Sequence, residues 1–391
     1  MEGWMKNVFV SLIACALLAG AALAEEASLL KVTPYGHAQY RLRLKMTYRN
    51  TGDEVLSTYE YPNQIAYFLG TKALVGDQLV LQFQLGNDWV ATEKVDWTAN
   101  NNFGAKSGVY PYFHLAYAAW NPGPFHLAFG IQPVFNYGPL DLLERSIRFS
   151  GTAVVNGDTT TVQGGSYAGA ALVTYPVGTN NSFMGLSLGA PILKDEFKLG
   201  VDYFMTIIEN RPESFLAEPE INPNALLSVI NLPMAAGDFT ITPQAFVLLF
   251  KYYSAETGEG DHEFGGGLAA TYKLGDKSSL RASFGVAQNS AEKSELLGER
   301  TKRGYIAGLE GKFGAGPGSL IAAVNWSGDE TVDQDDSMLH FLYTDLKYGW
   351  GVYKGLVLMP RVRTFTTLYP DGMADEYKLE VRPELLFIAA F

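Results

Sequence analysis

Hydrophobic and polar positions alternate along most of this chain. Tyr35 to Asn50 is the clearest instance. His37, Gln39, Arg41, Arg43, Lys45, Thr47 and Arg49 take the odd positions, and Ala38, Tyr40, Leu42, Leu44, Met46 and Tyr48 the even ones. Successive side chains of a strand point to opposite faces, so this strand has an apolar, aromatic face and a column of cations. Segments of about ten residues with the same period recur between clusters of Gly, Asp, Asn and Pro, and helical periodicity is scarce.

Further strands are predicted near Gln64 to Leu74, at Leu79 to Leu85, over about Tyr110 to Trp120, and with Phe125, Leu127, Phe129 and Ile131 on one face. The pattern lapses from Pro133 to Asn181 and resumes near Phe183. Gly165 to Val177 is assigned to that long loop rather than to a strand. Phe197, Leu199, Val201, Tyr203, Met205 and Ile207 then mark one face of a seventh strand. From there short turns such as "AAGD", "GDKS" and "GAGPGS" alternate with long polar loops. The reading is all-β: a transmembrane antiparallel β-barrel of about sixteen strands, with short turns on one rim and long loops on the other.

The N-terminus has Lys6, an apolar run from about Val8, and Ala22-Leu23-Ala24 before two acids. These are the parts of a secretory signal peptide, so residues 1–24 are expected to be removed and 25–391 to form the barrel. Leu12-Ile13-Ala14-Cys15 offers a lipoprotein box as the alternative; the apolar run that continues past it favours cleavage after Ala24. Cleavage there removes the chain's one cysteine and with it any disulfide. A formal net charge of -12 argues against nucleic acid as partner. The five histidines, His37, His114, His126, His262 and His340, have no Cys partner and no HExxH spacing, so no metal site and no cofactor is expected. The acidic stretch Gly328 to Asp336 reads as a solvated loop rather than a calcium site, because the twelve-residue calcium-loop pattern is absent.

The last stretch, "EYKLEVRPELLFIAAF", alternates Tyr377, Leu379, Val381, Leu385, Phe387, Ala389 and Phe391 with Lys378, Glu380, Arg382 and Glu384. An alternating strand that ends the chain on an aromatic resembles the closing strand of Gram-negative outer-membrane barrels. "VTPYG" (Val32 to Gly36) is similar to the start of many porin first strands, and the longest loop follows the fifth strand. Over residues 25–391 the chain thus resembles a sixteen-stranded bacterial porin. That resemblance implies the bacterial outer membrane, a long third external loop folded into the barrel, and a homotrimer. It also implies Phe391 as an insertion signal, and membrane lipid, lipopolysaccharide, small hydrophilic solutes and ions as partners. By position and charge, Asp141 and Glu144 would stand on the constriction loop; the loop sequence, "FNYGPLDLLERSIRF", departs from the acidic, Gly-rich motif of enterobacterial porins.

A barrel in lipid turns its apolar face outward. The cations of the first strand, Arg41, Arg43, Lys45 and Arg49, are then expected to line the pore. Lys378 and Arg382 of the closing strand, and Arg361 and Arg363 of its neighbour, extend them to an arc that Glu380 and Glu384 interrupt. The expected function is not enzymatic: passive diffusion of small hydrophilic solutes and ions through a water-filled barrel with a cationic wall and a loop-narrowed constriction. The alternatives are a substrate-selective porin, for phosphate-like anions or for sugars sliding on aromatics such as Phe204, and a non-channel barrel serving as adhesin or enzyme.

Overall fold

A computed structural model describes residues 30–50, 55–61, 63–91, 112–133, 149–155, 158–164, 182–194, 196–209, 224–253, 260–289, 302–331, 338–369 and 377–390. Its wall strands are β1 (Leu30–Arg43 and Lys45–Asn50), β2 (Val55–Glu60 and Gln64–Val75), β3 (Leu79–Ala91), β4 (Tyr112–Trp120), β5 (His126–Pro133) and β6 (Ser182–Lys194). They continue with β7 (Phe197–Glu209), β8 (Asn224–Asn231 and Met234–Ala236), β9 (Phe239–Tyr253), β10 (Gly260–Gly275) and β11 (Ser278–Asn289). The wall ends with β12 (Lys302–Ala315), β13 (Gly318–Thr331), β14 (Leu339–Tyr353), β15 (Leu356–Leu368) and β16 (Tyr377–Ala390). Each strand pairs antiparallel with the next, and β16 pairs back onto β1, so the sheet closes without an edge.

Three wall strands are interrupted once, two of them at a proline: Pro62 falls in the break of β2 and Pro233 in that of β8. A proline has no N–H to give to a ladder. The break in β1, at Leu44, lies opposite Pro383 of β16, whose carbonyl accepts from the Leu44 amide at 3.1 Å and which returns no bond.

Alternate residues of the wall are exposed and apolar, among them Tyr40, Leu42, Phe129, Phe284, Leu346 and Phe387. Sixteen strands about 4.8 Å apart and tilted by about 40° close into a wall about 30 Å across, too wide for wall side chains to fill. Short turns gather on one rim and are made where φ turns positive, as at Gly76 (59°) and Gly237 (56°).

The strand from Gln64 is longer than the pattern suggested. Val55–Glu60 belongs to it and pairs with Lys45–Asn50. β5 pairs directly with β6, which leaves no place in the wall for a strand between them. Phe149–Val155 and Asp158–Gly164 form a hairpin of their own, paired only with each other. The rest of the expected infolded loop, with Gly165 to Val177, lies outside the described residues.

Candidate functional site

The closing seam brings four strands side by side: β1, β16, β15 and β14. Leu42, Phe387, Val362 and Leu346 mark their outer face, so the alternate positions face the interior. There β1 presents Arg41, Arg43, Lys45 and Arg49, β16 presents Lys378, Glu380, Arg382 and Glu384, and β15 presents Arg361 and Arg363. β14 adds Asp345 and Lys347, and β2 adds Glu60 opposite Lys45. The structure therefore brings the eight expected cations to one arc. Asp141, Glu144 and Phe391 lie outside the described residues.

Register sets who meets whom. Arg43, Glu384, Arg361 and Lys347 are successive partners across the four strands. Arg43 Nε donates to Glu384 Oε1 at 2.5 Å, the Arg363 guanidinium donates to the same oxygen, and Arg361 Nη1 lies 3.9 Å from Oε2. Arg361 also grips Asp345 with both arms, Nε to Oδ1 and Nη2 to Oδ2 at 2.7 Å each, and Lys347 Nζ stands 3.8 Å from Oδ2. A planar fork on a carboxylate fixes both orientation and distance. Arg382 donates to Glu380, which also has Lys45 Nζ at 3.8 Å; Lys45 reaches Glu60 at 3.2 Å.

Arg363 and Arg382 are direct cross-strand partners of like charge, an arrangement that is ordinarily repulsive. Both lie over the ring of Phe365, at 5.5 and 4.3 Å from its centroid, where the negative face of the π-system offsets their repulsion. Phe365 is itself packed with Phe341 and Tyr343 in a buried cluster, so the ring is a fixed floor. Tyr343 adds a polar tie by accepting from Arg361 Nη2 at 3.2 Å.

The depth of these groups matters more than their number. Side-chain exposure is 0% for Glu384, 3% for Asp345 and 7% for Glu380, against 9% for Arg43, 12% for Arg363, 15% for Arg361, 16% for Arg382 and 24% for Lys45. Asp345, Glu380 and Glu384 are thus more buried than the cations that pair with them, whereas Glu60, at 55%, is more exposed than Lys45. Glu380 and Glu384 stand within the arc as buried counter-charges, each paired with cations on its own or a neighbouring strand. Their burial is sustained by the ion pairs, because an unpaired carboxylate there would lose its hydration without return. Sequence reasoning missed Asp345 and Lys347. The alternation in "HFLYTDLKYGW" put both on a polar face, yet only the register across β15 joins them to the arc.

Elsewhere on the interior wall the polar residues are tied to each other. Gln82 donates from Nε2 to the Tyr35 hydroxyl at 2.8 Å and accepts from the Tyr117 hydroxyl at 2.9 Å. His126 Nδ1 lies 2.9 Å from Asn121 Oδ1, a pure acceptor, so Nδ1 carries the proton and Nε2 accepts from the Ser187 hydroxyl at 3.3 Å. Asn–His–Ser in that order has the polarity of a nucleophilic relay. Ser187, however, is 4% exposed and is not presented to a substrate. Phe204 is equally closed: it is 1% exposed and lies on the backbone of Gly185, where an added Cβ would stand 2.8 Å from Cζ. Sugars have no sliding surface there. Among the described residues no group of three or more His, Cys, Asp or Glu is placed to hold a metal ion.

No protein-family model matches the chain, and no curated protein matches it. Solved structures do. The anion-selective porin from Comamonas acidovorans aligns with TM-score 0.55 at 12% identity over 93% of this chain and 100% of that one. OmpT of Vibrio cholerae, folded in vitro and described in a trimer form, aligns with TM-score 0.50 at 12% identity, over 93% of this chain and 100% of its own. Salmonella typhi OmpF in complex with daunomycin aligns with TM-score 0.51 at 11% identity, over 92% and 98%. At such identities the likeness is one of architecture, and it agrees with the closed sixteen-strand wall and its apolar exterior. The chain has the fold of the Gram-negative outer-membrane porins.

Proposed function

We propose that this chain forms a passive diffusion channel of the bacterial outer membrane, a pore for small hydrophilic solutes and ions that prefers anions and performs no catalysis. The observation that carries the reading is the layering of the seam. Asp345, Glu380 and Glu384 are each more buried than the cations paired with them, Glu60 being the exposed exception, which favours a positive surface toward the lumen. Charged rings of one sign set ion preference in a water-filled pore. Arg41, Arg43, Lys45, Arg49, Arg361, Arg363, Lys378 and Arg382 are the proposed pore-lining residues, and Asp141 and Glu144 of the long loop the proposed narrowing. The trimeric relative supports three copies of this chain as the working assembly.

A second reading, selectivity for phosphate-like anions, is favoured by the successive cations along β1, which offer a polyvalent anion several footholds. The experiment is the reversal potential of the purified protein in a planar bilayer across a potassium chloride gradient. Discrete steps with anion preference are expected. Steps with cation preference would move control to the loop acids, and a folded barrel without conductance would remove the channel reading. Repeating the measurement with potassium phosphate tests the second reading, which requires phosphate to interrupt chloride current.

A further inference from the structure

The cylinder closes where β1 meets β16, and the two strands end at different heights on the rim of short turns. Their register runs from Arg43 opposite Glu384 down to His37 opposite Ala390. β1 begins seven residues earlier, and Leu30 to Gly36 pair, among the described residues, with Val75 to Leu69 of β2 alone. About 20 Å of strand thus has one side turned to a gap. Across the gap lies the β14–β15 turn, where the Gly355 carbonyl accepts from the Ala390 amide at 2.6 Å and holds the foot of β16.

Backbone groups of alternate residues point to opposite sides of a strand. The Leu44 amide donates across the seam to Pro383, and the offset of β1 from each neighbour is constant along its length. Even-numbered residues of β1 therefore face the seam side. In the gap these are Leu30, Val32, Pro34 and Gly36, which offer four carbonyls and, since proline has no N–H, three amides. Side chains divide by the same alternation. Leu30 and Val32 are exposed on the outer face. Lys31 belongs to the inner face, and Lys72 of β2, opposite Thr33, is its diagonal neighbour there. Both lysines are exposed, as is Lys354 in the turn across the gap. Asp77, in the turn beyond Val75, lies past the end of this stretch.

We propose that this gap takes up an extended acidic segment of a periplasmic protein, which adds to β1 as a strand in line with β16. Short turns mark the rim as the periplasmic one. A row of backbone groups without a ladder partner is a template for another chain. The gap is one strand wide, because β1 and β15 flank β16 on its two sides. What fits it is an alternating guest. Apolar residues of the guest lie beside Leu30, Val32 and Pro34, and its acids lie beside Lys31 and Lys72, where opposite charges across a ladder attract. Pro34 withholds one donor and the lysines repel their like, which keeps a second copy of this chain from pairing at the same place.

The test uses the full chain, folded in detergent, and a fluorescein-labelled peptide of matching length in which Val and Glu alternate, with binding read by fluorescence anisotropy. Saturable binding is expected, about tenfold tighter than that of a peptide with the same residues in two blocks. Val32→Pro removes an amide that faces the gap and none that faces β2. It is expected to weaken binding about tenfold, with the fold checked by circular dichroism. Lys31→Glu with Lys72→Glu is expected to abolish binding and to admit the corresponding peptide of alternating Val and Lys. The arc in the lumen is also basic, so a peptide held there is the rival outcome. Such a peptide would bind Val32→Pro as well as the wild type, and N-methylation of its amides would leave its affinity for the wild type unchanged. Either result would overturn the proposal, as would equal affinity for the block peptide.

Discussion

Arg43 and Glu384 are 341 residues apart in sequence and share a 2.5 Å ion pair across the seam that closes the barrel. The pair joins the two functions of the arc, because Glu384 both balances the guanidinium groups above it and ties β16 to β1. Glu384→Gln removes a buried charge while its cationic partners remain. Breaking one side of such a pair costs about 3–5 kcal/mol, so urea unfolding in detergent is expected to shift by about that amount. The variant pore is expected to become more anion-selective; a fall in anion preference would contradict the layering.

Arg361 masks Asp345. Arg361→Gln is expected to move the reversal potential toward cations further than Arg49→Gln does, although each removes one charge. The difference arises because the first substitution uncovers a carboxylate and the second does not. Equal shifts would mean that Asp345 was already felt by permeating ions.

Gly185 sets the position of Phe204. A methyl group there would stand 2.3 Å from the Met205 carbonyl and 2.8 Å from the Phe204 ring. Gly185→Ala is expected to push the ring off the wall into the lumen and to destabilise the barrel by about 1–3 kcal/mol. Single-channel conductance is the readout, and smaller steps with unaltered ion preference are expected.

Ser187 tests the enzymatic alternative. With a hydroxyl that is buried and bonded to His126, the barrel is expected to leave p-nitrophenyl esters intact and to resist labelling by a fluorophosphonate. Labelling that disappears in Ser187→Ala would reverse the assignment.

The strand pattern was legible because lipid enforces it. The outward positions of a barrel form an apolar band where they meet hydrocarbon, so "YRLRLKMTYRN" and "EYKLEVRPELLF" announce their two faces without any neighbour. The short turns were legible through their glycines. What alternation does not carry is the offset between strands. Nothing near Asp345 indicates that Arg361 will reach it, or that Lys347 will stand in one row with Arg43; those meetings follow from the tilt and stagger of the whole cylinder. Depth is hidden for the same reason. Glu384 and Arg382 look alike in the sequence, two inward charges two residues apart, and only their neighbours put one below the other. The start of β2 was hidden because Val55 to Ser57 follow directly on Thr51-Gly52-Asp53-Glu54 and read with them as loop.

The meeting of β1 and β16 also contains a means of error detection. The two strands come from opposite ends of the chain, and Pro383 leaves their ladder short of a bond where it crosses Leu44. A slip of one residue would turn every cation of β1 toward lipid. A slip of two preserves the faces, and the backbone alone discriminates weakly against it. It would set Arg43 against Arg382 in one direction and against Leu386 in the other, and would bring Glu384 opposite Arg41 or Lys45, again a cation. The charges of the seam thus act as a parity check in the strict sense: an odd slip of first strand against last turns them to lipid, and an even one passes.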